Sequence, residues 1–172
     1  MEFKAFAKIN LALKITGLLP GGYHSLDMIN LPINLFDVVD ITVFGNDSLT
    51  EILCPSMPEL KQESNLCYKA TELLRLKFGF KENVRIKIEK NIPSQAGLGG
   101  GSSDAASVIA GLNQMLHLNM SLSEMDEIAL CIGSDTPYFF RNKACRLSGL
   151  GEKITEIENN CDLYCLLLKP QE

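Results

Sequence analysis

Between positions 3 and 15 every odd residue is apolar (Phe3, Ala5, Ala7, Ile9, Leu11, Leu13, Ile15), while Lys4, Lys8, Asn10, Lys14 and Thr16 take even ones. That period of two predicts a strand that buries one face along its whole length. The run GLLPGG over 17–22 is turn chemistry, and segments 23–33 and 38–44, rich in Ile, Val and Leu, predict two further strands in an antiparallel meander. A short fourth is predicted at 49–53, ahead of a loop that carries Pro55 and Pro58. The period then turns helical: Leu66, Ala70, Leu73 and Leu74 share a face behind a cap at Ser64 or Asn65, and Gly79 ends the helix. Val84, Ile86 and Ile88 alternate with Arg85, Lys87 and Glu89 as another strand. Ala105, Val108, Ile109, Leu112 and Leu116 stripe a second helix, and Met125, Ile128, Ala129 and Ile132 a third behind the Ser121-x-x-Glu124 capping box. Shorter strands are predicted at 144–148, 154–157 and 164–168. Strands first, then helices mixed with strands, imply a two-layer α+β domain rather than a regular βαβ winding.

Composition adds exclusions. With 172 residues, 46% of them hydrophobic, the chain can bury a core as one domain without metal or disulfide staples. A net charge of −5 without blocks of like charge lacks the footprint of a nucleic-acid or membrane-surface binder. The six cysteines (Cys54, Cys67, Cys131, Cys145, Cys161, Cys165) contain no C-x-x-C pair and read as reduced thiols, hence a cytoplasmic setting. Lys4, Lys8 and Lys14 interrupt the first apolar stretch, so it is no signal-peptide core.

The richest chemistry lies at 92–106, IPSQAGLGGGSSDAA, where Gly97, Gly99, Gly100 and Gly101 join a predicted strand to a predicted helix. Glycines let backbone N–H groups approach a ligand, and the helix N-terminus turns its unpaired N–H groups and positive dipole end to the same point. The stretch reads as an anion cradle, with Ser102 and Ser103 adding hydroxyls to cap the helix, bond phosphate oxygens or help hold Mg²⁺. Two familiar phosphate loops are excluded: no Lys follows the glycines as in G-x-x-x-x-G-K-[ST], and G-x-G-x-x-G fails at Ser102.

Other residues carry two readings each. Asp135, in Gly133-Ser134-Asp135-Thr136-Pro137, is either a proton acceptor facing a cleft or the cap of a short helix. Lys8 and Asn10 lie about 7 Å apart on one strand face, where they reach one ligand or merely meet solvent. Tyr23 and His24 follow a glycine turn as a base platform or as a packed ring beside a half-exposed imidazole. Asn65 and Leu66 are first a helix cap and a core residue; Glu152 is a turn residue and His117 structural.

The pattern P-x-x-x-G-L-G-G-G-S-S-D-A-A over 93–106 resembles the phosphate-loop signature of the GHMP kinases. FAKINL (6–11), GGYHSL (21–26), SNL (64–66) and GSDTPYFF (133–140) resemble further motifs of that family, in its order. The resemblance implies a GHMP-kinase N-terminal fold, like domain two of the fifth small-subunit ribosomal protein. It implies ATP with Mg²⁺, the nucleotide held by Pro93, Ser94, Gln95, Ala96, Gly97, Leu98, Gly99, Gly100, Gly101, Ser102 and Ser103 together with Asn65, and Ser103 beside the metal. By the same resemblance Asp135 is the general base and Lys8 its charge partner, while Asn10, Tyr23 and His24 bind the acceptor, the last two on a cytosine. The implied activity is phosphorylation of the 2-hydroxyl of a cytidine-diphosphate-linked polyol in isoprenoid precursor synthesis; a homoserine- or mevalonate-type kinase, or a non-catalytic nucleotide-binding fragment, are the alternatives. Family members continue into a second domain with a third glycine-rich motif, so 1–172 is expected to be the N-terminal domain alone.

Overall fold

A computed structural model describes residues 1–18, 21–22, 24–58, 62–159 and 163–168. Strand β1 (Glu2–Leu18) pairs antiparallel along its full length with β2 (His24–Phe44). The second and third predicted strands are thus one, continuous through Pro32. A proline is tolerated there because β4 (Asn83–Glu89) pairs with β2 over Val38–Phe44 and β5 (Cys145–Gly149) over Leu26–Asn30, so neither needs a donor from position 32. β3 (Thr50–Leu53) runs parallel to β4 rather than continuing a meander, and β6 (Lys153–Glu156) closes the far side against β5. A helix joins β3 to β4, as a parallel connection requires. The segment 164–168 is not a strand; Leu166 and Leu168 are exposed.

Helix α1 (Leu66–Phe78) starts at Asn65, whose side chain accepts the Cys67 N–H at 2.8 Å, and ends at Gly79 in the left-handed conformation. Helix α2 (Gly100–Met115) follows the glycine run, and α3 (Leu122–Ile132) starts on the expected capping box of Ser121 and Glu124. Their apolar stripes, Ala70 and Leu74, Val108, Ile109 and Leu112, Ile128 and Ala129, pack with Val39, Ile41, Val84, Ile86 and Ile88 of the sheet into one core. This is the expected two-layer α+β arrangement. Among the described residues no helix is long and apolar enough to cross a membrane, and Cys54, Cys67, Cys131, Cys145 and Cys165 are free thiols.

The even alternation of β1 hides a break. Asn10 faces Asn30, but Ala12 faces Ile29, so Leu11 is an extra residue in the ladder. A bulge of one residue swaps the faces of everything after it. Leu13 therefore faces Met28 and Ile15 faces Leu26, on the side occupied by Lys8 and Asn10, and Leu13 and Ile15 stay 55% and 57% exposed. Only the first half of the predicted buried face, Ala5 and Ala7, is covered.

Candidate functional site

Residue Gly99 stands at the N-cap of α2 with φ +73°, and no side chain caps this end. The first-turn N–H groups thus face the loop at the positive end of a 16-residue helix. Ser102 and Ser103 lie inside the first turn, so their expected capping role does not arise. A cleft of about 400 Å³ opens here. Its wall is the loop from Pro93 through Ser94, Gln95, Ala96, Gly97, Leu98, Gly99, Gly100 and Gly101 to Ser102, faced by Asn65 and Leu66 at the start of α1. Ser103 is buried, 2% exposed, and is not part of that wall. Among the described residues no group of three or more His, Cys, Asp or Glu could hold a metal ion by itself. Ser103, the residue expected beside a Mg²⁺, is set behind the wall, and Ser102 is the hydroxyl that meets the cleft; an ion carried largely by phosphate oxygens and waters would ask little more of the protein.

The other side of the glycine loop rests on β1. The Lys8 N–H, on the edge of β1 away from β2, donates to the Leu98 carbonyl at 3.0 Å. The Lys8 side chain is almost fully buried, donates to Asn10 Oδ1 at 2.6 Å, and lies 3.7 Å from Asp135 Oδ2. Asn10 in turn donates to Asn30 Oδ1 at 2.6 Å, and Asn30 is wholly buried. A Cβ placed on Gly99 would stand 2.5 Å from the Phe139 ring and 3.3 Å from Lys8 Cγ, so the glycine lets the loop close onto both. Residues from β1, the loop and the Gly133–Phe140 segment therefore meet at one place.

Asp135 sits at the N-cap of a short 3-10 helix, Thr136–Phe140, but its side chain does not cap it. Its carboxylate instead turns to Lys8, about one-third exposed. The 3-10 helix is braced from behind by Arg141, which forms a two-pronged pair with Asp126 of α3 and donates to the Pro137 carbonyl at 2.8 Å. An ammonium and a carboxylate 3.7 Å apart can both lie at about 2.8 Å from a third oxygen, so one hydroxyl can give its proton to the carboxylate while receiving a hydrogen bond from the ammonium.

Three charged residues were not singled out from the sequence: Lys90 and Asp104, which line the cleft, and Asp37, buried behind it. Lys90, just past β4, lies between the carboxylates of Asp37 on β2 and Asp104 on α2, the latter at 2.8 Å. Burial pushes the Asp104 carboxyl up to about 7, against the pull of Lys90. Burial lowers the Lys90 ammonium, but the paired Asp104 and Asp37 more than offset it and leave it raised. A charge inside an apolar run, Asp37 before Val38 and Val39, was the signal available in sequence.

His24 opens β2 opposite Leu18 and is exposed; its neighbour Tyr23 lies outside the described residues. His24 is six positions from Asn30 along β2, on the order of 20 Å at strand rise, so it does not join the Lys8 and Asp135 group. Glu152 accepts the Leu150 N–H at 2.5 Å, a turn residue as expected.

Comparison with known proteins gives this geometry a context. Residues 65–142 match the model of the GHMP kinases N terminal domain. Over 170 residues the chain is 43% identical to a 4-diphosphocytidyl-2-C-methyl-D-erythritol kinase of Clostridium tetani, covering 99% of this chain and 60% of the relative. Over 171 residues it is 40% identical to the protein of that name from Clostridioides difficile, covering 99% and 57%. The chain thus spans about 60% of the length of these relatives. A crystal structure of 4-(cytidine 5'-diphospho)-2C-methyl-D-erythritol kinase superimposes with a TM-score of 0.78 at 33% identity, over 91% of this chain and 55% of that one. The mevalonate kinase of Methanococcus jannaschii, 12% identical, shares the fold with a TM-score of 0.69, over 92% of this chain and 56% of that one.

Proposed function

We propose that the chain belongs to the GHMP kinase family and provides the nucleotide and acceptor sites of an ATP-dependent kinase. Its acceptor is the 2-hydroxyl of 4-diphosphocytidyl-2-C-methyl-D-erythritol, a precursor on the way to isopentenyl diphosphate. The observation that carries this reading is that Asp135, placed at a helix N-cap, leaves the helix uncapped and meets Lys8 beside the glycine that starts α2.

The open N–H groups of α2 and of the loop receive the ATP phosphates, and Pro93 to Ser102 with Asn65 wall the nucleotide cleft. Magnesium, when bound with the nucleotide, neutralises charge on the transferred phosphoryl group. Asp135 takes the proton of the acceptor hydroxyl, and the Lys8 ammonium stabilises charge on the same oxygen. Asn10, tied through its amide to buried Asn30 and to Met28, holds Lys8 in place and keeps a lone pair of Oδ1 for the acceptor. His24, with Tyr23, binds the cytosine end. The separation of about 20 Å between His24 and Asn30 suits a long nucleoside-diphosphate ester and leaves a bare hydroxy or amino acid unable to touch both. Free thiols among the described cysteines support a cytoplasmic setting; a net charge of −5 without blocks of like charge, together with the names of the relatives, supports a small molecule as partner.

The test is phosphoryl transfer from ATP to the cytidine-linked acceptor, to mevalonate and to homoserine, measured with wild type and Asp135→Asn. Transfer to the first alone, abolished by the substitution, is expected. ATP binding without transfer to any acceptor identifies a nucleotide-binding module, and preference for mevalonate or homoserine overturns the substrate.

A further inference from the structure

The loop that faces the nucleotide is held at both ends by one buried ion group. Asp37 is fully buried; its Oδ1 accepts the N–H groups of Asn91 at 2.5 Å and Ile92 at 2.8 Å, where the chain leaves β4, and its Oδ2 pairs with Lys90. The same Lys90 Nζ donates to Asp104 Oδ2 at 2.8 Å, in the second turn of α2. A Cβ on Gly100 would stand 3.2 Å from Lys90 Nζ, so the ammonium passes directly behind the point where loop becomes helix.

Two carboxylates share one ammonium in a nearly dry site, and Asp104 Oδ1 is left buried without a partner. Stability alone is served as well by apolar side chains of similar size, so a costly charged arrangement is better explained by what it positions. We propose that Asp37, Lys90 and Asp104 form a clasp of positioning residues that fixes the spacing between the end of β4 and the start of α2, and so keeps the loop N–H groups converged on a nucleotide polyphosphate. The inference rests on the nucleotide reading of the cleft. Asp37 pins the entry of the loop through backbone N–H groups, Asp104 pins its exit, and Lys90 couples the two. Loosening either carboxylate lets the two ends drift apart, which disperses the donors without removing any of them. The cost falls on ATP capture before it falls on the chemical step.

The experiment measures the ATP dissociation constant by calorimetry with MgCl₂ present, and KM for ATP and kcat with the cytidine-linked acceptor. Wild type, Asp37→Asn, Asp104→Asn and Asp104→Glu are compared after circular dichroism and thermal unfolding confirm folding. ATP affinity is expected to fall at least tenfold in each variant, with KM for ATP rising more than kcat falls. Asp104→Glu keeps the charge and moves it by one methylene, so it tests spacing even where Asp104→Asn does not fold. If wild type binds ATP and the folded variants bind it within twofold, the clasp is overturned while the nucleotide reading stands. A kcat loss at unchanged KM, as expected of a merely structural role, also overturns it. If wild type fails to bind ATP, the nucleotide reading falls and takes the clasp with it.

Discussion

Gly97→Ala and Gly99→Ala test the packing of the glycine loop as a matched pair. Both glycines have positive φ, +72° and +73°, so alanine costs about 1–2 kcal/mol of backbone strain at either. Their surroundings differ: a Cβ at 97 meets nothing within 4 Å, whereas one at 99 meets the Phe139 ring at 2.5 and 3.2 Å and Lys8 Cγ at 3.3 Å. Overpacking of that kind adds about 1–3 kcal/mol, which brings Gly99→Ala to about 2–5 kcal/mol in all. The far end of the Phe139 ring can yield somewhat, so the lower half of that range is expected. Urea unfolding followed by circular dichroism reads both values as shifts in midpoint, provided the slope is unchanged. Heating gives a second reading, about 2–4 °C per kcal/mol for a chain of this size. The same Cβ pushes against Lys8, so phosphoryl transfer should suffer far more in Gly99→Ala than in Gly97→Ala, by about tenfold or more, since a 1 Å misplacement costs about 10²-fold. Equal destabilisation by the two substitutions would refute the close approach of loop, Lys8 and Phe139.

Asp135→Asn should lower kcat by about 10²–10⁴-fold with ATP affinity unchanged, and adding Lys8→Ala should cost little more, because in the proposed reaction the two groups serve one oxygen; additive losses in steady-state kinetics would separate their roles. Tyr23→Ala and His24→Ala should weaken binding of cytidine diphosphate about tenfold or more in calorimetry and leave ATP untouched, base stacking being worth about 1–3 kcal/mol. Asp104 binds its proton more tightly in the folded chain, with its carboxyl at about 7 against an unfolded value of about 3.9. Between those values the native state holds more protons, so this group removes stability as pH rises from about 4 to about 7; urea midpoints across that window should fall less steeply in Asp104→Asn than in wild type. Asn65→Ala should cost about 1 kcal/mol through the lost Cys67 cap, read as a fall in Tm.

Elements whose signal is local were legible in the sequence. The capping box of α3, the Asn65 cap of α1, the alternation of β4 and the glycine entry to α2 each depend on contacts within a few residues, and the structure keeps all four. What escaped depends on neighbours far along the chain. Whether Pro32 breaks a strand depends on which edges of β2 need donors there, and that follows from where β4 and β5 pair. The bulge at Leu11 leaves the apolar rhythm of β1 intact, because Leu11 is itself apolar, yet it moves Leu13 and Ile15 to the face of Lys8. The clasp joins positions 37, 90 and 104, three elements whose adjacency only the fold supplies.

Asp135 shows where the same limit falls on the site. By spacing alone it has every attribute of a cap: a carboxylate one residue ahead of Thr136-Pro137. A residue that caps with its side chain takes extended backbone angles, as Asn65 does at φ −70°, ψ 132° and Ser121 at φ −68°, ψ 164°. Asp135 has φ −83°, ψ −17°, already helical, and at those angles its side chain makes no capping bond. The change from one role to the other thus lies in a single ψ rotation, set by the packing of the 3-10 helix against α2 and by the Arg141 brace from α3. Once turned, the carboxylate finds Lys8, which the edge of β1 presents through its backbone bond to Leu98. The glycine loop therefore also fixes the lysine that faces Asp135, and a disturbance of its glycines reaches both the loop and the pair at once.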